Sequence, residues 1–131
     1  MLRVTSSLDE STEQLAHLVI GCCIAVHSEL GPGLVEPIYH RAVSVELEHS
    51  GIPFEREKRF SVLYRGKPLY IHRLDLVVDG RIMLELKAVE RLHPVHQAQV
   101  LSCLRISKLR LCLLINFNVA ILPYGIKRIV L

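Results

Sequence analysis

The amino-acid sequence predicts an α/β fold in the order helix, helix, strand, strand, strand, helix, strand, with four to five strands in a central sheet flanked by helices. Three observations carry this. Apolar residues recur at helical spacing from Leu15 to Val26. Two strand-like runs, Arg73 to Val78 and Arg81 to Ala88, meet at Asp79-Gly80. Leu109 to Asn116 is a nearly unbroken aliphatic run, the pattern of a strand buried on both faces.

Taken in order, Ser11-Thr12-Glu13-Gln14 reads as a capping box that opens the first helix. Leu15, Leu18, Val19, Cys22, Cys23 and Val26 line one side, and Ala16, Ile20, Ile24 and Ala25 predict burial nearly all round. Gly31-Pro32-Gly33 ends it. The second helix tolerates Pro37 because it falls in the first turn, and stops at Ser50-Gly51. Its apolar face is expected to hold Ile38, Ala42, Val45 and Leu34, with Glu36 at its N-terminus facing whatever the preceding loop encloses. Phe54 to Tyr64 reads as a strand, turned at Arg65-Gly66-Lys67-Pro68 into the strand that carries Asp75. His93-Pro94 begins the third helix, with Val95, Ala98, Leu101 and Leu104 on one stripe and His96, Gln99 and Cys103 on another. Gly125 to Leu131 supplies a last edge strand. Neither repeats nor linkers interrupt the 131 residues, so one domain over 1–131 is expected.

The central hairpin decides what the chain can do, because a one-residue slip of register sends a side chain to the opposite face. A two-residue Asp79-Gly80 loop would set Asp75 opposite Leu84 and Leu74 opposite Glu85, mixing polar and apolar groups on both faces. A three-residue Val78-Asp79-Gly80 loop pairs Leu76 with Ile82, Leu74 with Leu84 and His72 with Leu86. That register gathers the aliphatics on one face and Arg73, Asp75, Glu85 and Lys87 on the other. Two carboxylates about 5 Å apart repel by roughly 3 kcal/mol at an effective dielectric of 20. Lys87, Arg73 across from Glu85, or a hard divalent cation would offset that; the bland alternative is a solvated ladder of salt bridges.

Composition excludes several classes. The longest apolar run, Leu18 to Val26, is nine residues, too short to span a bilayer. Residues 1–6 lack the layout of a signal peptide. Cys22, Cys23, Cys103 and Cys112 lie inside apolar runs without a CxxC spacing and read as small hydrophobes in a reducing, cytoplasmic compartment. Histidines His27, His40, His93 and His96 show no zinc-ligand spacing. Net charge is only +3, yet residues 1–50 hold seven acids against two bases while 51–131 hold six against fourteen. No acid follows Glu90, whereas Arg91, Arg105, Lys108, Arg110, Lys127 and Arg128 do. These six are the candidate contacts for a polyanion such as nucleic acid, a solvated positive face being the alternative.

Asp75 near the end of the second strand and Glu85-x-Lys87 in the third, within the order helix, three strands, helix, strand, resemble the PD-(D/E)XK nuclease superfamily. Upstream, Gly33-x-x-Glu36-x-x-Tyr39 is similar to the GxxExxY protein family, a branch of that superfamily. The likeness extends through Val26-His27, Glu46-Leu47, Glu85 to Val89, His96 with Ala98-Gln99, Leu113 to Phe117 and Gly125 to Arg128. Leu74 replaces the proline that usually precedes the acidic residue, Pro37 replaces a small polar residue, and Cys103 stands where the family often has tyrosine.

The resemblance implies a restriction-endonuclease-like core with a central mixed sheet, and hydrolysis of phosphodiester bonds in nucleic acid, DNA before RNA. It implies Mg²⁺ (or Mn²⁺) held by Asp75, Glu85 and Glu36 with the Leu86 carbonyl. Lys87 would orient the attacking water, and Gln99 would position Lys87 or the phosphate. His96 is either an accessory group or a cap of its helix. Cutting both strands of a duplex implies a homodimer. The other reading is a nuclease fold kept as a non-catalytic binding or regulatory module.

Overall fold

The computed structural model describes residues 8–131, so the expectation about residues 1–6 lies outside the described residues. Helices α1 (Glu10–Leu30) and α2 (Glu36–His49) precede strands β1 (Phe54–Tyr64), β2 (Lys67–Val78) and β3 (Ile82–Lys87). Helix α3 (Pro94–Ser107), strand β4 (Leu111–Asn116) and edge strand β5 (Ile126–Val130) follow. The order is the expected one. The five strands form a single mixed sheet in the order β1-β2-β3-β4-β5, with β3 and β4 parallel and every other pair antiparallel. The parallel pair requires a crossover, which α3 provides. No helix of the described residues is long and apolar enough to cross a membrane.

Two cores sandwich the sheet. On one side α1 and α2 pack Val19, Cys23, Val43 and Leu47 against Leu76, Leu84, Leu113 and Ile115. On the other, Val100 and Leu104 of α3 cover Val77, Met83, Cys112 and Leu114. Every residue of β4 is buried, as its aliphatic run predicts.

The helices sit differently from expectation in three places. Helix α1 is capped by Asp9, whose carboxylate accepts from the Thr12 N–H at 2.6 Å, so it begins before the Ser11 box. Its Leu18 and Ile24 are exposed, because only one side meets the sheet. In α2 the buried residues are Tyr39, Val43, Ser44 and Leu47, while Ile38, Val45 and Leu34 face solvent. The face is rotated by one residue because Tyr39 takes the inward position. In α3, Val100 and Leu104 are buried and Val95 is exposed.

Tyr39 goes inside because both its ring and its hydroxyl find partners. The ring stacks on Phe117 at 4.5 Å. The hydroxyl donates to the Gly31 carbonyl at 2.6 Å and accepts from the Leu34 N–H at 3.2 Å. It therefore staples the turn between α1 and α2, where Gly31 (φ 71°) and Gly33 (φ 96°) adopt left-handed backbone. Tyr39→Phe keeps the ring and leaves two backbone groups without that partner. A loss of about 1–2 kcal/mol is expected, read as a lower urea midpoint at unchanged m-value.

Candidate active site at the strand fork

The register of β2 on β3 is Leu76↔Leu84, Val77↔Met83 and Val78↔Ile82. The loop has three residues as expected, but they are Asp79-Gly80-Arg81, closed by the Arg81 N–H donating to the Val78 carbonyl at 3.0 Å. The pairing is thus offset by two residues from the expected Leu76 with Ile82. An offset of two preserves the faces. It also brings Asp75, in place of Arg73, level with Glu85. Arg73 turns to Glu57 instead, at 3.7 Å. Leu74 is a further correction: it packs with Val77 and Met83, not with Leu76 and Leu84.

Pairing stops at Leu76↔Leu84. Beyond it β3 stays on β4 through Lys87↔Asn116, while β2 continues with β1 alone. Asp75 and Glu85 are the first residue on each arm of this fork. A cleft of about 490 Å³ opens there on the α3 side, lined by Asp75, Glu85, Lys87, His96 and Gln99 among others. Four of the five expected catalytic residues thus share one cavity.

The fifth, Glu36, approaches from the α2 side. Its carboxylate lies 3.5 Å from His40 Nε2, which is 3.9 Å from Asp75 Oδ2. One ligand atom from each of Glu36, His40 and Asp75 falls within 4.8 Å of the others. Asp75 also lines a second cleft, of about 360 Å³, with His40, Arg41, Arg56 and Glu57. It is the hinge between the two cavities.

His40, set aside in the sequence for want of a metal-ligand spacing, is brought by the structure to Glu36 and Asp75. Glu36 and His40 stand four apart, one helical turn on the same face, so the signal was present; what hid it was the Asp75 partner, far away in sequence. Two other histidines make local structural contacts. His27 is buried with Nε2 donating to the Val119 carbonyl at 2.8 Å. His96 Nδ1 accepts from the His93 N–H at 3.1 Å, completing a cap of α3. Of the cysteines, Cys22, Cys23 and Cys112 are buried, but Cys103 is only half-buried and lines the larger cleft, its Sγ 3.1 Å from His72 Nε2.

Glu85 pairs with Lys87 at 3.4 Å. Burial pushes its carboxyl above the ordinary range, Lys87 pulls it back, and the charges of Asp75 and Glu36 add to the rise. Glu36 and Asp75 thus meet at one imidazole, near enough to the Glu85–Lys87 pair for their charges to act on Glu85. This donor set, all oxygen apart from a single nitrogen, fits a divalent cation, which would relieve the repulsion among the carboxylates.

The expected polyanion contacts do not assemble into one patch. Because α3 returns the chain from the end of β3 to the start of β4, Arg105, Lys108 and Arg110 lie at the end of the sheet away from the fork. Arg128 on β5 is ion-paired with Glu13, and the Arg110 guanidinium donates to the Leu131 carbonyl at 3.2 Å. Lys127 pairs with Leu114 near the Glu85 level, but two strands from β3. Arg91 lies beside His93 and His96 in a small cleft near the start of α3.

The model of the PD-(D/E)XK nuclease superfamily matches residues 13–129. No curated protein and no solved structure matches the chain.

The burial of Glu85 sets a pH dependence. Its carboxyl has an ordinary value of 4.5 and is raised by folding. Below the ordinary value both folded and unfolded chains hold the proton and the folded state keeps its full advantage; that advantage is lost as pH rises through the folded value. Glu85→Gln, which cannot ionise, is therefore expected to melt about 3–5 °C higher than wild type at pH 8 without metal, for roughly 1 kcal/mol. The difference should fade as the pH falls toward 4.5. Thermal scans across about pH 4 to 8, which bracket a raised carboxylate titration, check it.

Proposed function

We propose that this chain, which belongs to the PD-(D/E)XK nuclease superfamily and has its restriction-endonuclease-like fold, is a metal-dependent nuclease that hydrolyses phosphodiester bonds of DNA. The observation that carries the reading is the meeting of Glu36, His40 and Asp75 beside the half-buried Glu85–Lys87 pair at the strand fork. Gly33-x-x-Glu36-x-x-Tyr39 supports the GxxExxY branch, since the motif glutamate starts α2 and the motif tyrosine staples the loop before it.

Asp75, Glu36 and His40 would hold the cation, with Glu85 and the Leu86 carbonyl completing its surroundings. Bound there, Mg²⁺ or Mn²⁺ would polarise the phosphoryl oxygen and acidify a water. The imidazole of His40 makes Mn²⁺ the tighter of the two. Lys87 is held by Glu85 on the cleft side of β3, where its ammonium can orient a water and donate to a phosphate oxygen. Gln99, across the cleft on α3, offers an amide N–H to the same phosphate. A non-catalytic module has no need of three carboxylates beside a polyanion, which their charge repels. Cleavage of both strands of a duplex calls for two such sites, so a homodimer belongs to this reading, with the intact protein in the cytoplasm.

Mn²⁺ or Mg²⁺ at millimolar concentration is expected to raise the melting temperature of wild type, since a ligand of the native state stabilises it by mass action. Asp75→Asn and His40→Ala should each blunt that rise. Lys87→Ala should lower turnover of a nicked or duplex substrate by a factor of roughly a hundred or more, while DNA affinity measured by anisotropy changes little. Wild type that neither responds to metal nor cuts DNA would leave the binding module as the better description.

A further inference from the structure

Beyond Leu74, β2 has no partner but β1, and β1 has none but β2. Residues 58–74 are therefore a two-stranded ribbon that projects from the fork. Its tip is a tight turn in which Arg65 (φ 50°) and Gly66 (φ 76°) both take left-handed backbone, as a two-residue hairpin loop requires. Its base is packed through Phe60 and Leu74 against the α3 core and through His72, whose Nε2 lies 3.1 Å from Cys103 Sγ. The rest is open to solvent.

The ribbon is basic for its whole length. From Lys58 to Leu74 it holds five lysines and arginines and no acid. Lys58 and Arg73 are paired with Glu55 and Glu57 at its base, which leaves Arg59, Arg65 and Lys67 with no acidic partner among the described residues. Arg59 stands directly across from Arg73, and Glu57 offsets the charge of Arg73 alone. Tyr64, opposite Lys67, exposes 65% of its surface at the tip. The base of the ribbon borders the cleft in which Arg41 and Arg56 stand with Glu57 and Asp75, so the ribbon leads directly from the candidate active site.

We propose that this ribbon is the substrate arm: it lies along duplex DNA on one side of the scissile phosphate and grips the backbone through Arg59, Arg65 and Lys67. Nine residue steps lead from Gly66 to Asp75. At about 3.3 Å each they reach roughly 30 Å, nearly one turn of duplex. The contacts are to phosphates, so they fix the register of the DNA without reading its sequence. The inference rests on the nuclease reading above, and it assigns substrate binding to a segment other than the acid-free C-terminal stretch.

The test uses the full chain without divalent metal and two fluorescein-labelled duplexes, one of about 30 and one of about 8 base pairs, the shorter one less than a helical turn. Arg59→Ala/Arg65→Ala/Lys67→Ala should bind the long duplex at least tenfold more weakly at moderate salt. Its log–log salt slope should be flatter by about two to three units, close to 0.9 for each lost phosphate contact. The short duplex should be affected less. The charge-preserving Arg59→Lys/Arg65→Lys/Lys67→Arg variant should retain most of the wild-type slope, and Arg105→Ala/Lys108→Ala, at the far end of the sheet, should bind as wild type. Hydrolysis of bis(p-nitrophenyl) phosphate in Mn²⁺, which needs no arm, should be unchanged in the alanine variant. Wild-type affinity and slope in that variant would overturn the arm while the nuclease reading stands. So would equal losses in both ribbon variants, or a change in sedimentation with no change in DNA affinity, which would make the ribbon a self-association surface. If wild type neither binds DNA nor hydrolyses the small diester, the nuclease reading fails and the arm fails with it.

Discussion

The structure depends on an inequality of strand pairing. Strand β3 is held to β4 over Ile82 to Lys87, but to β2 only over Ile82 to Leu84. The parallel partner keeps Glu85 and Lys87 rigid after the antiparallel partner has left, so their side chains stand on fixed backbone at the edge of an open cleft. A hairpin zipped further would cover Glu85 with β2, and one that parted earlier would take Asp75 out of reach. The fork also frees the outer part of β1 and β2 to project as a ribbon. Site and arm therefore share one origin, the end of pairing at Leu76↔Leu84.

That geometry carries an electrostatic cost. Glu85 is mostly buried and shares its surroundings with the charges of Asp75 and Glu36, against Lys87 as its ion-pair partner. Burial outweighs the lysine, which is why the carboxyl is raised. A core designed for stability alone would put an amide or an aliphatic residue there. The surrounding sheet tolerates the arrangement because β4 is buried throughout and packs on both layers.

Much of this was legible in the sequence, and what was not has physical causes. The element order and the buried β4 follow from period and alternation, whereas Asp75, next to the Leu74 break, lines a cleft on each side of the sheet and only Glu85 and Lys87 keep the α3 face. The hairpin register was displaced by two because alternation fixes parity only; the loop residues, with Asp79 and Gly80 both in left-handed backbone, fix the rest. Leu74 escaped the pattern because alternation breaks where β2 leaves β3. The α2 face was misplaced because counting aliphatics favours Ile38 and Val45, whereas Tyr39 is buried through a hydroxyl that satisfies two loop backbone groups. His40 was passed over because its partners are brought together only in three dimensions. The basic C-terminal stretch stood out as a run in the chain, but Arg105, Lys108 and Arg110 fold to the far end of the sheet and Arg128 turns to Glu13.

The glycine-glutamate-tyrosine motif joins these observations into one mechanical link. The Phe117 N–H donates to the Lys87 carbonyl at 2.8 Å, tying the end of β4 to the lysine strand. The Phe117 ring stacks on Tyr39, and the Tyr39 hydroxyl holds the Gly31 to Leu34 turn. That turn sets where α2 begins, and α2 begins with Glu36, one turn before His40. Glu36 and His40 are thereby referenced to the same strand that carries Glu85 and Lys87. Glu36 also sits at a helix N-terminus, where the macrodipole favours its charge. A site assembled from a helix and two diverging strands needs such a brace, because side chains on separate elements keep a common geometry only when the elements are locked together. The tyrosine three residues after the glutamate is the brace, and this gives the motif its spacing.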